Sequence, residues 1–361
     1  MSVISDVNRY ELWLRKHCDV VERGLKKKHK RMADDPLMFF RSTCFRFARK
    51  INEFVAPENA GPKTLSVGDA HFENWGTWRD AEGRLVWGVN DFDEAAELPY
   101  TFDLVRMATS LSLAKDLPNQ LPNQLGALLK GYTAGLQKPT ARLINDEVPW
   151  MEPLLKRPIS QKNAFEQSLL ELLDKHEATP PPQALAGLIA EMPVGTSNLR
   201  FASRQRGGGS LGRPRFVAFG RWQGGLIVRE CKAIVPSAWA WASDQGDHAR
   251  LFITLARGTY RAPDPFLKSH DGYLIRRIAS DSNKIDLASL NARAFNLGLL
   301  KAMGADLASI HAATSGASSE IEADLTSKKP EWLLEACTLA DKAVRQDYDK
   351  WKAHYRLHKD G

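Results

Sequence analysis

Apolar positions change their spacing several times along the chain, and each change predicts a different kind of element. Over the first sixty residues they recur at helical intervals, with a turn at Asp34-Asp35-Pro36 and an aromatic helix through Phe39, Phe40, Phe45, Phe47 and Phe54. From Leu65 to Glu94 the pattern shortens to strands and turns, and Leu85, Val86, Trp87 and Val89 predict a buried strand leading into Asn90-Asp91-Phe92-Asp93. Helical spacing returns over Thr101 to Lys115, 123–136 and 163–175, with the repeated Leu-Pro-Asn-Gln of Leu117 to Gln124 as a connecting turn. Pro180-Pro181-Pro182 and the Gly- and Pro-containing stretch to Val194 break the composition, which sets a boundary near 178–195.

Beyond that boundary the period becomes that of strands. Asn198 to Gln205, Pro214 to Arg221 and Leu226 to Ile234 predict a three-stranded meander, joined by Gly207-Gly208-Gly209-Ser210-Leu211-Gly212 and by Gln223-Gly224-Gly225. Helical residues follow from Ala238 to Arg257, then a strand from Tyr273 to Ile278. Phe295, Leu299, Met303, Leu307 and Ile310 mark one face of a long helix, and an amphipathic helix over about 330–357 ends the chain. The expected organisation is α+β in three parts, 1–180 helical, 195–285 β-rich and 286–361 helical.

Composition narrows the class. With 361 residues and 43% hydrophobic content the chain can bury a real core, and 26% charged and 9% aromatic residues exclude a disordered or collagen-like polymer. A net charge of +7 permits an anionic partner such as a nucleotide, a nucleic acid or a lipid head group. The run Lys26, Lys27, Lys28, Lys30 and Arg31 reads as a solvated helix face. Asp6, Arg9, Glu11, Arg15 and Lys16 stand where a signal peptide would be apolar, and no apolar run approaches the roughly 18 residues of a membrane span, so a cytoplasmic protein without a membrane partner is expected. Cys18, Cys44, Cys231 and Cys337 form no Cys-x-x-Cys pair and read as packed, reduced thiols. No His-Glu-x-x-His or Gly-x-Ser-x-Gly pattern points to a metalloprotease or serine hydrolase.

The chemistry concentrates in two places. Phosphoryl transfer requires a carboxylate to take or orient the acceptor proton and oxygen ligands to hold magnesium on the phosphates. Asp69 and Asn74 in Gly68-Asp69-Ala70-His71-Phe72-Glu73-Asn74, with the strand-end Asp91, meet that requirement; the plainer alternative is that all are turn caps and loop carboxylates. In the second half, Gly207, Gly208, Gly209 and Gly212 around Ser210 and Leu211 make a backbone able to approach phosphates closely. Lys232 follows on the next strand but one, inside an apolar run. Alone, these features read more readily as a flexible hairpin and a lysine guarding a sheet edge.

Phe39-Phe40-Arg41, Gly68 to Asn74, Asn90-Asp91-Phe92-Asp93-Glu94, Phe102-Asp103-Leu104-Val105-Arg106 and Leu274-Ile275-Arg276-Arg277 together resemble a bacterial family catalogued as domain of unknown function 2252, over about Arg31 to Ser315. That family in turn resembles the aminoglycoside phosphotransferase and choline kinase branch of the protein-kinase-like fold. The resemblance implies ATP and Mg2+ as cofactors, Asp69 as catalytic base, Asn74 and Asp91 as magnesium ligands with Asp93 as a further one, and Asp103 as a buried anchor of the catalytic loop. The Gly-rich turn and Lys232 would hold the phosphates. Here Ser42 and Ala233 depart from the family's usual Gly and Glu, and no glutamate partner for Lys232 is evident in the following helix.

Because Asp69 precedes Lys232, the lobes run in the reverse of the usual kinase order, and the helix ending at His311 follows both; a circularly permuted two-lobe fold is expected. Its acceptor is an unknown hydroxyl on a small molecule or protein. Arg41, Arg276 and Lys284 are candidates to meet phosphates or an acidic substrate, while His71 and His311 are expected to orient loops. The competing readings are a nucleic-acid-binding protein, through Arg204, Arg206, Arg213, Arg215 and the Lys26–Arg31 run, and a nucleotide-binding protein without catalysis.

Overall fold

The structure is a computed structural model that describes residues 1–115, 117, 120–152, 159–243, 251–279 and 297–358. It opens with α1 (Val3–Leu14), α2 (Glu22–Asp34), α3 (Pro36–Ser42) and α4 (Cys44–Phe54). The expected turn is the start of α3: Met38 N donates to the Asp35 carboxylate at 2.9 Å, and Pro36 fills the first turn, where its missing N–H costs nothing.

Short strands follow. β1 (Lys63–Ser66) pairs antiparallel with β4 (Ala96–Pro99), and β2 (Trp75–Arg79), β3 (Leu85–Val89) and the two-residue β5 (Arg142–Leu143) form a second small sheet. The predicted buried strand is β3, whose Trp87 and Val89 are excluded from solvent before the chain turns outward at Asn90. Then come α5 (Tyr100–Leu113), α6 (Leu121–Gln137), α7 (Ile159–His176) and α8 (Pro182–Ala190).

The β-rich part is a five-stranded antiparallel sheet of β6 (Ser197–Ser203), β7 (Arg215–Trp222), β8 (Gly225–Ala233), β9 (Lys268–His270) and β10 (Tyr273–Arg277), in the order β6-β7-β8-β10-β9. The expected meander is its first half. Gln223 and Gly224 close the β7–β8 hairpin with φ of 47° and 81°, the positive values of a tight two-residue turn. One sheet face carries Val217, Phe219 and Val228 under Leu169 and Leu173 of α7; the other carries Ala218, Cys231 and Ile275 under Ala184 and Leu188 of α8. The triproline stretch thus starts a helix, and α7, grouped by sequence with the first part, packs on the sheet.

The helical span expected over 238–257 is described as α9 (Ala238–Ala242) and α10 (Phe252–Ala256), with 244–250 outside the described residues. Lys284 and Phe295 also lie outside them. The chain ends in α11 (Leu297–His311), α12 (Ala317–Ser327) and α13 (Trp332–His358). These helices share one core with the N-terminal ones: Tyr348 Oη donates to Ala33 O at 3.2 Å, and Arg46 Nε donates to Asp347 at 2.8 Å. Among the described residues no helix is long and apolar enough to cross a membrane.

Within this core α6 and α11 approach each other closely. A β-carbon on Gly304 would lie 2.1 Å from Leu128 O, and one on Gly131 2.0 Å from Lys301 O. Helix propensity alone predicts that Gly304→Ala stabilises by about 1 kcal/mol. Overpacking against backbone instead costs typically about 1–3 kcal/mol, and the backbone cannot rotate away. Gly304→Ala is therefore expected to lower stability in a denaturant titration; a rise in midpoint would show that the helices part without cost.

Candidate functional site

β3 ends where the sheet's charged face meets the helical core, and a cleft of about 280 Å³ opens there. The loop before β2 is fixed from beneath. Asp103, near the start of α5, accepts from Val67 N at 2.7 Å and from Gly68 N at 2.9 Å, the anchoring role expected for it. His311 of α11 stands 3.1 Å from the same carboxylate, and Tyr132 braces the imidazole at 2.7 Å. His311 therefore orients a loop. Gly68 has φ of +75°, and a β-carbon on it would lie 1.9 Å from Glu94 O, so only glycine lets the two loops cross.

Asp69 lines the cleft. Arg106 Nε and Nη2 both contact its Oδ1 at 2.5 Å, and His71 Nε2 lies 3.9 Å from Oδ2. Burial raises the Asp69 pKa, with Arg106 pulling the other way. Asn74 is oriented by its own amide, since Nδ2 donates to Asp69 O at 3.2 Å and to Asp91 O at 3.0 Å. Its Oδ1 is buried and has no hydrogen-bond partner among the described residues. Asp91, with a side chain 35% exposed, lines the cleft beside it.

Lys232 reaches this loop from the sheet. Its Nζ lies 2.5 Å from Asp93 Oδ2 and 3.4 Å from Asp91 Oδ1. Arg213 joins the same cluster, 3.0 Å from Asp93 Oδ2 and 2.9 Å from Glu94 Oε1. Burial and the neighbouring Asp91 push the Asp93 carboxyl up, against the pull of Lys232 and Arg213. The partner of Lys232 is thus an aspartate of the strand-end loop, in place of the helix glutamate that was sought. The ammonium itself lies behind Asp91 and Asp93, outside the cleft lining. Asp93, expected as a further metal ligand, has Oδ2 committed to two cations.

The Gly-rich turn is docked. Val21 N donates to Gly212 O at 2.8 Å and Arg31 Nη1 to Gly207 O at 3.0 Å, while a β-carbon on Gly209 would lie 2.8 Å from Arg41 O. Gly207, Gly208, Gly209 and Ser210 line the cleft; Gly212 packs against Gly24 and Leu25 of α2 and does not. Arg41 also lines it and pairs with Glu73.

Sequence reasoning missed two partners. Glu230, two residues before Lys232 and so on the same sheet face, is fully buried among Arg204 at 2.7 Å, Arg215 at 2.5 Å and Arg276 at 2.8 Å. All three arginines line the cleft. Burial raises the Glu230 pKa, but the three guanidinium groups overcome it and hold the carboxyl well below its usual range. The period-two spacing of Glu230 and Lys232 was the available signal. Arg106, one helical turn after Asp103, was the other.

Residues 20–148 match an uncharacterised protein family conserved in bacteria, domain of unknown function 2252. The match includes the Asp69 loop, Asp91, Asp103 and Arg106, and ends before the sheet; it is shorter than the Arg31 to Ser315 stretch over which the motifs were read. No curated protein and no solved structure matches the chain.

Glu230→Gln leaves the buried Arg215 and the partly buried Arg204 and Arg276 without a counter-charge and is expected to cost about 3–5 kcal/mol in a denaturant titration. Because the folded-state pKa is depressed, this contribution is complete above the ordinary glutamate range and is lost progressively as pH falls from that range down through the depressed folded-state value. The gap between wild type and variant should therefore be constant near neutrality and narrow only in acid. A gap that vanishes at neutral pH would refute the ion-pair account.

Proposed function

We propose that the cleft binds a magnesium–nucleoside triphosphate, with ATP as donor, and transfers its phosphoryl group to a hydroxyl acceptor. The fold in this reading is a kinase-like pair of lobes in permuted order, working in the cytoplasm, where the free cysteines stay reduced. The observation that carries it is one cleft walled by opposite charges: Asp69 and Asp91 from the helical part, and Arg204, Arg215 and Arg276 from the sheet. A magnesium phosphate complex is complementary to both walls.

The donor atoms suit magnesium held jointly with phosphate. Asn74 Oδ1 is a buried oxygen without a partner, and Asp91 is its partly exposed neighbour. Magnesium keeps waters and phosphate oxygens and takes only one or two protein oxygens. When bound, magnesium would offset phosphate charge as it develops. Lys232 braces Asp91 and Asp93, the arginines hold the phosphates, and Asp69 accepts the acceptor proton on the oxygen that Arg106 leaves open. Most of the rate enhancement is then positioning and electrostatics.

One contact favours a second reading, nucleotide binding without transfer. The Arg106 guanidinium on Asp69 Oδ1 stabilises the charge that a base must give up.

In thermal-shift measurements Mg-ATP is expected to stabilise the protein by about 2.7 kcal/mol at a hundredfold excess over Kd. Asp91→Asn should remove the magnesium-dependent part of that shift and leave the melting temperature without nucleotide nearly unchanged. A large loss of intrinsic stability with turnover retained would reject the metal role. Asp69→Asn separates the two readings: binding should persist while turnover falls by roughly 10²–10⁴. Binding with no turnover in either protein would favour the second.

A further inference from the structure

Beyond the phosphate-facing walls, the cleft lining holds polar groups that phosphate binding does not use. In α2, Leu25, Lys28 and Met32 recur on the buried face, whereas Lys26, Lys27 and Lys30 stand in solvent. Lys28 is the exception to an otherwise solvated basic run. It is 4% exposed and lines the cleft. Among the described residues its ammonium makes no hydrogen bond or ion pair; it lies 5.8 Å from the centroid of the Tyr10 ring. Ser42 also lines the cleft, is 3% exposed, and its buried Oγ has no hydrogen-bond partner among the described residues.

A chain of contacts joins the surroundings of Lys28 to the Asp69 loop. Tyr10 stacks on Phe45 at 4.1 Å, and Cys44, next to Phe45, donates to Gly68 O at 3.5 Å, one residue from Asp69. Nearby carboxylates are already committed. Glu11 is bonded to His29 at 2.5 Å, and Glu94 accepts from Arg213 at 2.9 Å and from Ala238 N at 2.5 Å. Burial, partly opposed by Glu11, pulls the Lys28 amine down to about 8. A desolvated cation and a desolvated hydroxyl on one cleft both lack an acceptor, and a ligand oxyanion would satisfy both.

We propose that Lys28 and Ser42 form the anchoring subsite for an anionic group, carboxylate or phosphate monoester, carried by the acceptor. The acceptor is then an anionic hydroxy compound, and a cationic one is repelled by the unpaired ammonium. This rests on the phosphoryl-transfer reading of the same cleft.

The test uses the full chain saturated with Mg-ADP, so that anions do not report on the arginine wall. Acetic anhydride labelling of Lys28 is followed by mass spectrometry at single-residue level. Glycerol 3-phosphate and glycerate are the anionic probes; glycerol and choline are the neutral and cationic controls. At ten times its Kd, a bound anion should slow Lys28 labelling roughly elevenfold by mass action. Its calorimetric binding should be lost in Lys28→Met, a variant that keeps the buried methylenes, with Mg-ADP affinity unchanged. Labelling unaffected by both anions, slowed equally by glycerol or choline, or anion binding retained in Lys28→Met overturns the proposal. Failure of Mg-ADP to bind the wild type, with Lys28 still protected by an anion, would instead remove the nucleotide reading.

Discussion

The contact on which the rest depends is the ion pair between Lys232 of β8 and Asp93 of the loop after β3, 2.5 Å apart and almost wholly out of solvent. Neither charge could be buried alone without a large desolvation penalty, so each segment makes the other's position tolerable. Across the sheet Lys232 faces Arg215 in register, a like-charged pair that would be unfavourable by itself. Asp93 relieves one member and Glu230 the other. The sheet's charged face is therefore compatible with burial only when the strand-end loop is docked against it.

The same loop is held from the opposite side by parts of the chain remote in sequence. Asp103 of α5 fixes the backbone at Val67 and Gly68, His311 of α11 supports Asp103, and Trp239 of α9 donates to Gly68 O at 2.9 Å. These contacts form because the N- and C-terminal helices share one apolar core into which the loop is set. Nothing in them depends on the order in which the segments are strung together. A core of this kind retains its contacts when its termini move over the surface, as the proposed permuted lobe order requires.

Glu230 gives the cleft its electrostatic character. One buried carboxylate immobilises three guanidinium groups, and their charge exceeds its own, so the assembly keeps a net positive edge. Arginine suits this role because its planar fork retains free N–H donors after pairing. The arginines are thus held in place by the fold itself, an arrangement that would lower the ordering cost of the proposed phosphate binding.

Local pattern was sufficient for much of the fold. The apolar spacing located the turn that opens α3, the buried strand β3, the hairpin at Gln223 and Gly224, and the long helices α6, α11 and α13, because period and turn chemistry are short-range consequences of covalent geometry. Residue type and position marked Asp69, Asn74, Asp91 and Lys232 as candidates, and the family resemblance marked Asp103. Three features were decided only by packing. The Gly-rich turn lies against α2 and α3, Arg106 pairs with Asp69, and Lys28 leaves its basic neighbours to line the cleft. A charged side chain's partner is set by which surfaces meet across the core, and that information is not carried by spacing along one segment.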